Sequence, residues 1–354
     1  MSTKLGLPLF ALRMAISLWG FLLAAGLAQP LWAADSPYQL GRGYALGDSG
    51  LSLGGYSSSH VEGLGKNPAS FTLSSLSLFV SWDSGSKLRF FSETEAENIL
   101  QVGGSQVLNG DSVNVHMERL YFDYLVADSL SLRVGKILTP VGQWNLIHVD
   151  PLVWTTSRPV ATTHLFADYA TGLMLQGTVT LGKRYLDYSV YSDYSSALDP
   201  TRIISESPVF DNAQGLRLRY HANDALQIGL SYADYALLGN ASIRNHLTGL
   251  DLAWTYAHFT LNSEIVYRNS TALSNQNNWE GYIQGVNPIV GNIYAIGRYE
   301  FFDRLNAQTL GQVGVMGLAY RPQAPLIFKL EYRTGVNNRQ LAADGLFASF
   351  SVLF

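Results

Sequence analysis

About sixteen segments of this chain alternate apolar and polar residues with a period of two. This is the side-chain period of a β-strand, and it constrains the fold more than any other feature. Most segments run for about 9–11 residues, which is enough to cross a bilayer at a tilt of about 45°. They begin near Gly50, Leu76, Lys87, Val113, Leu130, Ala170, Arg184, Gly215, Leu226, Leu247, Phe259, Trp279, Asn292, Gly311, Leu326 and Leu346. The sequence therefore predicts an all-β protein with strands long enough to span a membrane.

The links between these segments alternate in length. Tight links follow every second segment, as in "GK" from Gly182, "NPIVG" from Asn287 and "RPQAP" from Arg321, whereas the links between them are longer and polar. Short turns on one side and long loops on the other are typical of a transmembrane antiparallel β-barrel. In lipid every backbone N–H and C=O must pair within the protein, so we expect a closed barrel of about 16 strands.

The final segment, "LFASFSVLF", ends on Phe354. An unpaired strand edge invites aggregation. We therefore expect this strand to pair with the first one, near "GLSLGGYSSSH" from Gly50. Its alternation places Leu346, Phe350 and Phe354 on one face, which we expect to meet lipid, with Phe354 at the membrane interface.

The first residues have the layout of an export signal. Lys4 and Arg13 flank the start of a short apolar run, "MAISLWGFLLAAGLA", and small residues follow it. This order predicts a secretory signal peptide over residues 1–34, which leaves residues 35–354 as an outer-membrane β-barrel. A membrane anchor is the alternative, but the apolar run is shorter than the about 20 residues of a spanning helix.

Composition supports a membrane barrel and excludes several other classes. Charged residues make up 14% of the chain and aromatic residues 12%, whereas about 25% charged residues is ordinary. The absence of cysteine excludes disulfides, thiol nucleophiles and cysteine metal sites. A formal net charge of −4 argues against nucleic acid as a partner. The histidines are scattered, so no metal site or cofactor is expected.

Alternation also assigns the charged side chains of the strands to the lumen, because a charge facing lipid costs about 2–4 kcal/mol at the membrane midplane. About sixteen strands are wide enough to leave an aqueous channel. The predicted pore-lining residues are Arg89, Glu93, Glu95, Arg119, Asp123, Arg133, Arg217, Arg219, Glu264, Arg298, Glu300, Lys329, Glu331 and Arg333. For each of them, a salt bridge with a neighbour is the alternative to contact with solute.

Residues 139–168 form the longest link and are called the long loop below. Many apolar residues and three prolines distinguish it from a passive turn or a disordered linker. We predict that this third loop on the long-link side folds into the barrel and narrows the pore. The candidate constriction residues are Trp144, His148, Asp150, Trp154, Arg158 and His164. The alternative is an external loop that packs on the rim or on a neighbouring subunit.

A signal peptide, about sixteen strands, a long third loop and a terminal phenylalanine together resemble Gram-negative outer-membrane porins. The stretch "LRVGKILTPVGQWN" is similar to the phosphate-selective porin O/P-like group. The resemblance implies passive diffusion of small hydrophilic solutes or ions, commonly through a homotrimer, with no enzymatic activity.

The same resemblance implies a location and partners. The chain would be exported through the periplasm to the cell outer membrane and surrounded by lipid and lipopolysaccharide. The barrel-assembly machinery would recognise Phe354. Phosphate selectivity is not implied, because lysine is scarce after the signal peptide: Lys66, Lys87, Lys136, Lys183 and Lys329.

Two other interpretations stay open. "GKNPAS" from Gly65 resembles the N-terminal plug of fatty-acid transporters, which would make the segment before Leu76 a hatch in a barrel for hydrophobic compounds. "GDSG" from Gly47 resembles a serine-protease nucleophile motif. A nucleophilic serine needs a positioned histidine and acid, and no spacing supplies them, so a polar linker is the favoured interpretation.

Overall fold

The computed structural model describes residues 38–63, 69–103, 113–198, 208–271, 277–303, 310–339 and 341–354. The predicted signal peptide and most of the "GKNPAS" stretch lie outside these residues. The strands are β1 (Tyr38–Gln39), β2 (Gly43–Ala45), β3 (Leu51–Gly63), β4 (Ser70–Asp83), β5 (Leu88–Gly103), β6 (Asn114–Ala127), β7 (Leu130–Leu138), β8 (Tyr169–Leu181), β9 (Arg184–Asp193), β10 (Phe210–Asn223), β11 (Leu226–Leu237), β12 (Asn245–Tyr256), β13 (Phe259–Ser270), β14 (Asn278–Val290), β15 (Ile293–Asp303), β16 (Leu310–Gln323), β17 (Leu326–Val336) and β18 (Gly345–Leu353). Among the described residues, no helix is both long and apolar enough to cross a membrane.

Strands β3 to β18 form a closed antiparallel barrel of sixteen strands, each paired with its neighbours in chain order. β18 pairs with β3, from Leu346 opposite Gly63 to Leu353 opposite Tyr56. Phe354 extends this pairing, because its N–H donates to the Gly55 carbonyl (2.8 Å) and its carbonyl accepts from the Gly55 N–H (2.9 Å). The predicted barrel and its predicted closure are confirmed.

The segment before Leu76 belongs to the barrel wall. β3 pairs along its length with β4, and both strands pair onward with β18 and β5. The alternative in which this segment forms a hatch is therefore wrong for residues 51–63 and 70–75.

Burial alternates along the strands in the way the sequence predicts. On β17, Leu330 and Tyr332 are 44% and 53% exposed, whereas Lys329 and Glu331 are 4% and 1% exposed. Other exposed apolar side chains around the barrel are Leu78, Phe122, Val134, Leu175, Leu230, Leu250, Ile283 and Met316. The outer face is therefore an apolar belt, a surface that lipid solvates better than water does.

One predicted link is displaced. The sequence places a turn at Asn287, but β14 continues to Val290, and the link to β15 is Gly291 and Asn292. The register with β15 shifts between Pro288 and Val290. A proline lacks the N–H for the ladder and is accommodated at such a bulge, so Pro288 does not end the strand.

The buried apolar core lies between the long loop and the wall. Ile137, Val141, Leu165 and Phe166 pack with Tyr235 and other residues of the wall in one cluster. The two ends of the long loop are joined, because the Thr139 N–H donates to the Asp168 carbonyl at 2.9 Å.

Candidate functional site

The long loop lies inside the barrel. It leaves the wall between β7 and β8, yet it makes hydrogen bonds to side chains of β11, β13, β15, β17 and β18. It also comes within 3.8 Å of β5, between His148 Nε2 and Glu93 Oε2. A single segment reaches strands all around a closed barrel only through its interior.

Three buried glutamates of the wall accept hydrogen bonds from backbone N–H groups of the long loop. The pairs and their N···O distances are Gln143 to Glu264 (3.1 Å), Trp144 to Glu264 (2.7 Å), Thr156 to Glu331 (2.9 Å), Ser157 to Glu331 (3.1 Å) and Val160 to Glu300 (2.7 Å). A buried carboxylate requires donors, and the N–H groups of an irregular segment require acceptors. Each group therefore satisfies the other, and the glutamates anchor the long loop.

Two buried cations of the wall complete this attachment. The Arg298 guanidinium donates to Thr155 Oγ1 (2.6 Å) and to Ser157 Oγ (2.6 Å). The Lys329 ammonium donates to the carbonyls of Asp150 (2.8 Å) and Thr155 (3.2 Å). The long loop is thus held by charge-assisted hydrogen bonds, which are stronger than neutral ones.

The predicted pore-lining residues fall into two groups. The first is buried, with residue exposures between 0% and 5%: Glu93, Glu95, Glu264, Arg298, Glu300, Lys329 and Glu331. These side chains are covered and do not face open water. Two more are engaged locally, because Arg119 Nε donates to Glu93 (2.5 Å) and Arg333 Nε donates to the Ala343 carbonyl (2.7 Å).

The second group borders a cavity of about 540 Å³ between the long loop and strands β5 to β10, near their short links. It consists of Arg89, Asp123, Arg133, Arg217 and Arg219. Sequence reasoning missed Lys87, Asp128 and Asp187, which also border the cavity. Asp187 lies directly opposite Arg219 in the sheet, so alternation on β9, applied as on β10, would have found it.

The charges around the cavity differ in how far they are compensated. Arg133 forms a bidentate pair with Asp123 (2.6 and 2.8 Å), and Arg217 forms one with Asp251 (2.6 and 3.0 Å). In the part of the chain that is described, the buried Nε of Arg219 has no hydrogen-bond partner. The charge of Arg219 is therefore only partly compensated at the cavity.

The six candidate constriction residues pack within the long loop or against the wall. Trp144 meets the Tyr282 ring edge-on (6.0 Å between centroids), and Trp154 contacts Tyr294 (4.8 Å). The member of the long loop that borders the cavity is Leu146, which sequence reasoning did not select. Its apolar side chain carries no signal that separates it from the loop's other apolar residues.

Two charged candidates of the long loop, Arg158 and His164, each lie beside a carboxylate. Arg158 forms a bidentate pair with Asp168 (3.1 and 3.0 Å) and donates to Asn145 Oδ1 (2.8 Å). His164 Nε2 lies 3.0 Å from Glu280. The carbonyl of Asp150 accepts from Lys329, as described above. Burial raises the pKa of Asp168, and the Arg158 guanidinium opposes this shift.

His148 is held neutral. Burial lowers the pKa of His148 to about 3, and the positive charges of Arg119 and Arg158 add to this shift. Its Nε2 lies 3.8 Å from Glu93, which is too far for a hydrogen bond that would favour the imidazolium.

The "GDSG" motif forms a turn. The Ser49 hydroxyl donates to the Leu46 carbonyl (2.6 Å) and accepts from the Leu51 N–H (3.1 Å). Both bonds are local, so the Ser49 hydroxyl stabilises the backbone turn that precedes β3.

Comparison with known proteins shows the fold. No family model matches the chain. An uncharacterized protein of Aquifex aeolicus (strain VF5) is 32% identical over 129 residues, which are 36% of this chain and 27% of that protein. The match therefore spans well under two thirds of that relative.

Solved structures of outer-membrane porins and channels are similar over most of the chain. An anion-selective porin from Comamonas acidovorans has a TM-score of 0.59 and 15% identity, covering 86% of this chain and 99% of that chain. OmpF of Salmonella typhi in complex with daunomycin has a TM-score of 0.62 and 10% identity, and the match covers 87% of this chain and 99% of that chain. The outer membrane channel DcaP of Acinetobacter baumannii has a TM-score of 0.59 and 12% identity, and the match covers 88% of this chain and 100% of that chain. The chain has the fold of these porins.

Proposed function

We propose that this chain is an outer-membrane porin, through which small hydrophilic solutes or ions diffuse passively. The observation that carries the proposal is a closed sixteen-strand barrel with an apolar outer face and a charged cavity inside. Lipid solvates the first surface and water the second. No bond is made or broken in this function, so the function we propose is not enzymatic.

The proposal includes the surroundings of the barrel. The apolar belt supports a place in the outer membrane among lipid and lipopolysaccharide, reached by export. One similar solved structure, OmpT of Vibrio cholerae, is in a trimer form, which supports a homotrimer. We also propose recognition of Phe354 by the barrel-assembly machinery, and a place near the phosphate-selective porin O/P-like group, which rests on the stretch "LRVGKILTPVGQWN".

The cavity favours anions. Five cationic side chains and three carboxylates border it, and selectivity in a wide pore follows the sign of the lining charge. Since Arg133 is paired with Asp123 and Arg217 with Asp251, we assign the preference to the other three cations, Lys87, Arg89 and Arg219.

The test is the single-channel conductance of the refolded protein in a planar bilayer under a gradient of KCl. Discrete current steps are expected, with a reversal potential that shows preference for chloride. A folded barrel that inserts but passes no current would contradict the porin function. Steps with a preference for potassium would leave the porin function standing and refute the anion preference.

A further inference from the structure

Three side chains with metal-binding atoms meet on the inner face of β5 and β6. One ligand atom from each of Glu95, Glu97 and His116 lies within 4.8 Å of the other two. Glu95 and His116 are directly opposite in the sheet. The cluster lies toward the long-link end of this wall, so it is separate from the cavity near the short links.

A β-bulge brings a further carboxylate to this cluster. The register between β5 and β6 runs from Glu93 opposite Arg119 to Thr94 opposite Met117, which leaves Glu118 as the extra residue. A bulge re-aims side chains. Here the bulge lets two successive residues, Glu118 and Arg119, both point inward. Their side chains are only 6% and 17% exposed.

Glu118 is directed at the cluster and incompletely satisfied. Its Oε1 contacts His116 Nε2, whereas its buried Oε2 has no hydrogen-bond partner in the described structure. An unsatisfied buried carboxylate oxygen is costly. This oxygen is an acceptor that a donor or a cation can satisfy.

The cluster is rich in negative charge. The guanidinium of Arg119, the residue after Glu118, is engaged with Glu93 at 2.5 Å. The charged groups that act on Glu97 are His116 and Glu118. Carboxylates held together in a partly buried place repel one another unless one is protonated or a cation lies between them.

We propose that Glu95, Glu97 and His116 bind a divalent transition-metal ion such as Zn²⁺, with Glu118 as a positioning residue. Zinc takes imidazole nitrogen and carboxylate oxygen, often with three protein ligands and an open position. If the Nε2–H of His116 donates to Glu118, the lone pair is on Nδ1, where it can bind metal. Such a carboxylate behind a metal-bound histidine is a common arrangement. Calcium and magnesium prefer oxygen ligands alone, so the histidine favours a transition metal.

The test uses the whole refolded barrel in detergent, titrated with Zn²⁺ by calorimetry and with Co²⁺ by visible absorption. Binding of one ion per chain is expected. Glu118→Gln should weaken binding by about 10–100-fold, as outer-shell changes do. His116→Gln and Glu97→Gln should weaken it further and remove the cobalt absorption.

His60→Gln is the matched control, because His60 also lies beside a glutamate, Glu62, at 3.7 Å, but outside the cluster. It should bind like the unaltered protein. Far-ultraviolet circular dichroism verifies that each variant is folded. Absence of binding to the folded barrel would overturn the proposal. So would binding that His116→Gln leaves unchanged, or Ca²⁺ binding as tight as that of Zn²⁺. Neither readout depends on ion conduction, so failure here leaves the porin function untouched.

Discussion

Two parts of the barrel wall carry charged, inward-facing side chains that do different things. On β13, β15 and β17, the inward glutamates hold the backbone of the long loop and are almost completely buried. On β5 to β10, inward arginines border a cavity. The difference teaches that a charged lumen face is not in itself a water-lined face. What decides is whether an inserted segment covers it.

The largest effect on stability is expected when the covered part of the wall loses the three glutamates that anchor the long loop. The combined variant Glu264→Gln, Glu300→Gln and Glu331→Gln weakens five charged hydrogen bonds to the long loop. Hydrogen bonds to charged groups contribute about 1.5–3 kcal/mol each but are not additive, so we expect a loss of at least about 3 kcal/mol in the free energy of unfolding. Single-channel conductance should rise as the long loop leaves the lumen. Guanidinium unfolding in detergent and bilayer recordings measure the two effects.

Glu62→Gln is the control for this variant, since Glu62 is 41% exposed at its side chain and makes no described contact with the long loop. It should alter neither quantity. If the triple variant keeps both the stability and the conductance of the unaltered protein, the glutamates are not anchors.

A second effect concerns pH. The unfolded chain protonates His148 near its ordinary pKa of 6.5, whereas the folded pKa is about 3. The unfolded state therefore binds more protons between these values, and stability falls as pH falls below 6.5. Relative to His148→Gln, the unaltered protein should lose about 2 kcal/mol between pH 6 and pH 4. Parallel pH dependences for the two proteins would show that His148 is accessible to protons.

A smaller effect is expected within the long loop. Arg158→Lys replaces a bidentate guanidinium pair with Asp168 by a single point charge and loses the bond to Asn145. Because Arg158 is partly exposed, we expect a loss of about 1 kcal/mol. Denaturant unfolding of this variant is compared with that of Arg184→Lys, an exposed first residue of β9 that lies away from the long loop; this control should be neutral.

The smallest effect on stability is expected at the cavity. Arg89→Gln combined with Arg219→Gln should change stability by no more than about 0.5 kcal/mol, because neither side chain anchors the long loop and no carboxylate is placed opposite Asp123 or Asp187. The reversal potential in a KCl gradient should nevertheless move toward that of potassium. Lys183→Gln, at an exposed short link, is the control, because it removes one positive charge at a site away from the cavity. A reversal potential that does not move would place the conduction path elsewhere.

The sequence predicts the barrel well and the division of its wall poorly. The two-residue period and the alternating links are local properties, and they suffice for strand number, pairing order and closure. The apolar composition of the long loop also predicts that it packs against another part of the protein. Its partners are not local: Glu264 and Trp144 are 120 positions apart. Arg219 and Arg298 occupy equivalent places in their alternating patterns, yet one borders the cavity and the other lies under the long loop.

Strict alternation fails at the bulge in β6. Counted back from Arg119, it assigns His116 and Glu118 to the lipid face. The structure has both on the inner face, because Glu118 is an extra residue in the pairing with β5. Nothing in the local residue pattern marks this insertion, since its cause lies in the register between two strands.

The closure of β18 on β3 has a consequence for the order of folding. Its partners are as far apart as Ser58 and Ser351, whose hydroxyls bond across 293 positions of chain, and such distant contacts form slowly because of the entropy of joining the ends. The anchors of the long loop on β13, β15 and β17 also follow it in the chain. The long loop is therefore enclosed late in folding. The pairing of β3 with β18 removes both open edges of the sheet at once. After that step the loop can leave the lumen only through the open mouth of the barrel or by the rupture of a strand seam.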